Sequence, residues 1–264
     1  MADKYLRQTK GKFKIAGKVG GTNRKEFISD TTFDSGAQKI EANFCVNTSE
    51  TNESWVTVGG FIQKEARFSK YDVKTKKSEN KSVPWNKRFD FKEEGFRPSF
   101  NVNLGVEVDE KGKSIYSDHF GCDAVGELDV QLEEGMSVYV AGAIEFNTYI
   151  NKKEEKVTRR NLTANRVLSS KEIDYEAEGF KEQNLFEQEI VFRDISPHPT
   201  EEDIFILNAF IIGYKNVVSN AEFTLKNKKL ATLLKKNMKP YYAIKVMGRL
   251  ENAANEEDVE EEDS

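Results

Sequence analysis

Residues 11–19, GKFKIAGKV, alternate without a break. Phe13, Ile15, Gly17 and Val19 fall on one side, and Lys12, Lys14, Ala16 and Lys18 on the other. Period two marks a strand with unlike faces. One face here is apolar and the other carries lysine, so the strand lies on a core and turns its charge outward. The alternation returns at 39–47, KIEANFCVN, with Ile40, Ala42, Phe44 and Val46 on one side. At 55–62, WVTVGGFI, the core side is Val56, Val58 and Ile62, which leaves Trp55 and Phe61 on the outer face. Residues 99–108 and 113–122 predict a hairpin around DEKGK, and strands follow at 132–150 and 157–168. The chain is mainly β.

Residues 170–184, SKEIDYEAEGFKEQN, read as a charged linker. Beyond it, 185–250 predict a smaller β-rich domain. EQEIVFRDI and DIFILNAFIIGY are its first strands, the second nearly all apolar and so buried. KNKKLATLLKK is a helix by the spacing of Leu225, Leu230, Leu233 and Leu234, and YYAIKVMGRLE is a last strand. VYVAGAIE at 138 and IKVMGRLE at 244 share one pattern of aliphatics, Val, Gly and Glu, which hints at a duplicated, second barrel-like unit.

Charge is spread unevenly. The net charge is −5, but the stretch from Glu251 to Ser264 holds eight acids and no base, so the rest of the chain stands at +3. Such a tail buries too little apolar surface to offset chain entropy, and disorder is expected over 251–264. Beside a basic body it reads as an anionic arm that competes for a cationic groove or recruits a partner. Between Lys64 and Arg97 stand eleven Lys and Arg against six Asp and Glu. Phe68, Tyr71, Trp85 and Phe89 are interleaved with Lys76, Lys77, Lys87 and Arg88. Cations neutralise phosphates and rings stack on unpaired bases, so the mixture suits a single nucleic-acid strand. A solvated β-ribbon with rings packed beneath it would have the same composition.

Other chemistry finds little support. The two cysteines, Cys45 and Cys122, lack metal spacing and read as buried thiols, and His119 and His198 are isolated. GKVGGTNRKE lacks the spacing of a phosphate-cradling loop. Asp118, Asp123 and Glu127 read as a solvated turn. No enzyme, cofactor or metal is expected. No apolar run is long enough for a membrane helix and the N-terminus has no apolar leader, which places the protein in the cytoplasm.

In order, FKIAGKVGG, IEANFCVNTSE, WVTVGGF, EEGMSVYVAGAIEFNTY and RRNLTANRVL resemble the strands of bacterial and phage single-stranded DNA-binding proteins. The likeness covers about 10–64 and 132–168. It implies an OB-fold, a five-stranded Greek-key barrel, over 1–170, with a large β-ribbon insertion at about 64–126. It implies binding of single-stranded DNA with little sequence preference, in replication, recombination or repair. The long insertion and second domain point to a phage-encoded member, working in host cytoplasm. Trp55 and Phe61 take the positions of stacking aromatics. Lys12, Lys14, Lys18, Arg159 and Arg160 become candidates for phosphate contacts. The insertion would widen the groove with Phe68, Tyr71, Lys76, Lys77, Trp85, Lys87 and Arg88. The tail lacks the apolar tip with which that family docks replication or recombination proteins. The alternatives are an RNA-binding OB protein and a β-rich phage assembly subunit.

Overall fold

A computed structural model describes residues 5–151 and 153–251. The acidic run beyond Glu251, and the disorder expected of it, lie outside the described residues. β1 (Gly11–Gly20) is the first alternating strand, with Phe13, Ile15 and Val19 buried and Lys12 and Lys14 exposed. β2 (Ile28–Thr32), β3 (Gln38–Asn47) and β4 (Glu53–Phe61) follow. β5 (Glu65–Asp72), β6 (Lys77–Pro84) and the short β7 (Arg97–Pro98) form a separate three-stranded sheet. β8 (Val102–Gly105) and β9 (Ser117–His119) are the hairpin around DEKGK.

α1 (Gly121–Gln131) corrects the sequence reading, which runs a strand to residue 122 and a solvated turn through Asp123 and Glu127. Its buried residues are Cys122, Ala124, Val125 and Leu128. Gly126 and three acids dilute that short apolar stripe. Then come β10 (Ser137–Ile150), β11 (Lys156–Ser169), β12 (Gln183–Pro197), β13 (Phe205–Ile212) and β14 (Val218–Leu225). α2 (Lys228–Asn237) and β15 (Ala243–Arg249) complete the described chain. β13 alternates buried and half-buried positions, so it has one core face and is not buried throughout. Leu225 closes β14. The helix starts after Asn227, whose side-chain oxygen accepts from the Leu230 N–H at 3.0 Å.

β1 pairs antiparallel with β10 along Gly11–Lys18, then bends onto β3 at Lys18–Gly20. β3 pairs with β4, β4 meets β11 in parallel at Thr57 and Thr163, and β11 returns to β10. Five strands thus close a ring in the order β1–β3–β4–β11–β10. Gly17 stands where β1 changes partner. A Cβ there would lie 1.9 Å from the Asn47 carbonyl oxygen, so a side chain would push β3 away. Phe13, Ile15, Phe44, Val56, Val58 and Val140 fill the interior, and Leu128 of α1 packs into the same core.

β12 lies antiparallel to β1, with Phe186 opposite Phe13. From that pair outward the two halves match. Phe13 faces Gly142 on β10, and Phe186 faces Gly248 on β15. β3 joins the end of β1 as β13 joins the end of β12. α1 comes after β4 and before β10, as α2 comes between β14 and β15. The two glycines are those of VYVAGAIE and IKVMGRLE. Among the described residues the second half has no counterpart of β11. Instead Phe146 of β10 packs into both cores, and Thr148 Oγ1 lies 2.6 Å from Ser219 Oγ on β14. Residues 170–182, the expected linker, have no regular structure but are pinned. The Tyr175 hydroxyl donates to the Asn47 carbonyl and accepts from the Lys18 N–H, at the point where β1 meets β3.

Both cysteines are buried and unpaired. Burial, and then nearby acids, push each thiol from 9.0 up to about 11. Folding therefore favours the neutral thiols, and that contribution is lost as pH rises from 9 toward 11. At pH about 8, both thiols should resist iodoacetamide in the folded protein and react fully after denaturation, as read by mass spectrometry. No helix among the described residues is long and apolar enough to cross a membrane.

Candidate nucleic-acid interface

The outer face of β4 carries Trp55 and Phe61, whose residues are 40% and 47% exposed. Val56 and Val58 point inward, so alternation forces their neighbours out. The Arg24 guanidinium lies 4.7 Å from the Trp55 ring centre, and the indole Nε1 donates to Glu53 at 3.1 Å. Arg24 reaches the ring because its loop passes close beneath it. Gly21 has φ +81°, and a Cβ there would come within 3.0 Å of the indole. Glu134 holds that loop by accepting from the Gly21 and Thr22 N–H groups at 3.1 and 3.0 Å and from the Thr22 hydroxyl at 2.9 Å. Desolvation opposes ionisation of Glu134, but these donors outweigh it and hold the carboxyl below its ordinary range.

A groove of about 400 Å³ runs beside Trp55, between Asn43 and Thr57 on one side and Arg159 and Arg160 on the other. Thr57 Oγ1 donates to Asn43 Oδ1 at 2.9 Å, which settles that wall. Arg160 is an exposed residue, although the protein packed around its guanidinium disfavours the charge and pushes the group down from its ordinary value. Among the described residues Arg160 has no hydrogen-bond or ion-pair partner. Such a cation is ready to pair with an incoming anion. Phe61, at the other end of β4, lies 5.8 Å from Phe33 with Lys39 Nζ 5.6 Å from its centre.

The other predicted residues are distributed elsewhere. Lys12 and Lys14 are exposed on β1 and line a different groove. Lys18 lies 5.3 Å from the Tyr175 ring centre, in the pinned linker. Tyr71, Lys76, Lys77 and Lys87 are exposed on the three-stranded insertion. Three residues of that segment are built inward. Phe68 is 6% exposed, stacked at 4.3 Å on Phe91 and edge-on to Phe120, so it has no face to offer a base. Trp85 is half-buried, 5.1 Å from Phe120, with Arg88 4.5 Å from its centre. Arg88 grips Asp123 of α1 with two N–H groups at 2.9 and 2.8 Å, so its charge is already neutralised. The rings among these lysines hold a small core and fasten the insertion to α1. Sequence reasoning passed over Arg24, Asn43 and Glu134. Only the glycine pair before Arg24 marked a close approach. Asp118 is held by Asn101 and Asn103, and among the described residues no three His, Cys, Asp or Glu side chains group as metal ligands.

The model of the YorF family matches residues 70–264, well over half of the chain. The chain belongs to the YorF family. In this YorF chain the match begins inside β5, so β1–β4 and Trp55 lie upstream of it. No curated protein matches the sequence. Solved structures similar to the YorF chain include the wild-type single-stranded DNA-binding protein of Thermus aquaticus, at 14% identity and TM-score 0.45, covering 94% of this chain and 87% of that one. A deletion mutant of the same protein gives 12% identity and TM-score 0.46 over 94% and 89%. The Plasmodium falciparum protein SSB in complex with ssDNA gives 14% and TM-score 0.23 over 65% and 100%.

Proposed function

We propose that the five-stranded ring is an OB-fold and that it binds single-stranded DNA with little sequence preference, without catalysis. The observation that carries this reading is an exposed indole beside a groove lined by Arg24, Arg159 and Arg160. An OB-fold binds oligonucleotides on its second and third strands and the loops that flank them. In this ring those are β3 and β4, the loop carrying Arg24, and the turn between β10 and β11. Bases stack on Trp55 and phosphates pair with the arginines. Phe61 adds a second ring about 20 Å along β4.

Tryptophan fluorescence titrated with oligo-dT tests this in a Trp85→Phe background, where Trp55 alone reports. Saturable, salt-sensitive quenching supports the reading, and its absence removes it. Oligo-rU and duplex DNA, run beside it, separate DNA from RNA selectivity. In this reading the acidic tail competes with DNA for the cations. Deleting Glu256–Ser264 should tighten binding, most at low salt, where screening is weakest. Equal affinity for the two proteins at low salt would refute the competition.

A further inference from the structure

Lys12 and Lys14 do not line the Trp55 groove. They line a second one, of about 570 Å³, over β1 and β10. Lys14, Ala141, Arg166 and Asn103 stand in one row across four strands. The pairing of β10 with β11 slips beside them: Gly142 faces Ala164 while Ala141 faces Arg166. The extra residue, Asn165, is a β-bulge, and it leaves two consecutive side chains, Asn165 and Arg166, both exposed. The floor is Ala141, Gly142 and Ala143, so the flanking cations stand above it. Among the described residues, the side chains of Lys12, Lys14 and Arg166 have no ion-pair partner, and Glu145 is the single acid in the lining. Glu187, opposite Lys12, faces Lys245 at 3.4 Å.

A second row joins the two grooves. Lys12 faces Ala143, Ala143 faces Thr163, Thr163 faces Thr57, and Thr57 faces Asn43. Thr57 and Asn43 are the wall beside Trp55. The row spans four strand steps, about 19 Å, and its middle is small and uncharged. We propose that a single strand anchored at Trp55 crosses this saddle and lays its phosphates against Lys12, Lys14 and Arg166. The barrel then binds a wrapped strand, and its site is longer than the β4 face alone. This rests on the single-strand reading above.

The test is Lys12→Ala/Lys14→Ala/Arg166→Ala in the Trp85→Phe background. All three side chains are on exposed residues, and circular dichroism verifies the fold. Two oligo-dT probes are used, of about 6 and about 30 nucleotides, since an OB-fold covers roughly 4–16. For the long probe, the slope of log K against log salt should fall by about 2, or about 0.7 for each phosphate lost. The short probe should quench Trp55 as in the parent. Arg166→Gln alone should take about 0.7 from the long-probe slope. An unchanged long-probe slope overturns the proposal. Equal losses on both probes also overturn it, because the three cations would then belong to the Trp55 site. If neither probe quenches the parent, the single-strand reading itself fails and takes this one with it.

Discussion

Alanine at Trp55 weakens binding of oligo-dT by about 5- to 150-fold. That is the factor given by roughly 1–3 kcal/mol of base stacking, at about 1.4 kcal/mol per tenfold. The indole is the largest open ring in the arginine-lined groove, and its loss removes the stacking surface and the ring contact of Arg24, whose ion pair with Glu26 at 3.7 Å remains. Phe61→Ala falls at the low end of the range, because Phe61 shares its surface with Phe33. Fluorescence anisotropy of a labelled oligonucleotide gives both numbers. The salt slope of Trp55→Ala should stay at the parent's value, since a ring neutralises no phosphate. Parent affinity in Trp55→Ala would move the interface off β4.

Alanine at Arg88 acts on stability instead. The Arg88 and Asp123 side chains are 16% and 14% exposed and joined by two hydrogen bonds. The pair holds the Arg88 guanidinium above its ordinary value, the Asp123 hydrogen bond outweighing the cost of burial. Removing one member leaves the other half-buried and without its ion-pair partner, which costs up to about 3–5 kcal/mol. Thermal unfolding should fall by roughly 10 °C for a chain of this size. Arg88→Ala/Asp123→Ala should recover part of the loss, because no orphan charge remains. Arg88→Lys should not restore the parent, since an ammonium lacks the two-pronged geometry. The salt slope of oligo-dT binding should be unchanged in Arg88→Ala. A reduced slope with normal stability would return Arg88 to the phosphate-binding set.

The two arginine environments explain how much of the interface could be read in advance. Trp55 and Phe61 were legible because period two leaves only two faces, and Val56 and Val58 occupy the inner one. Phe68, Trp85 and Arg88 share the composition of a binding groove but serve as packing. Composition cannot tell a ring that faces water from one that faces another ring. Arg24 was hidden because its contact with Trp55 spans a loop shaped by Gly21 and held by Glu134, far away in sequence. α1 was hidden because its stripe of small buried residues is interrupted by Gly126 and acids.

The sequence alone determined a mainly β chain, the inward faces of β1, β3 and β4, and the outward placement of Trp55, since all of these follow from local alternation. Only the tertiary structure decided which strands close the ring, that β1 and β12 join the two halves at Phe13 and Phe186, and which cations lie free. The pairings of β1 with β10 and β12, and of β4 with β11, join residues more than a hundred positions apart, and local alternation does not encode which strands meet.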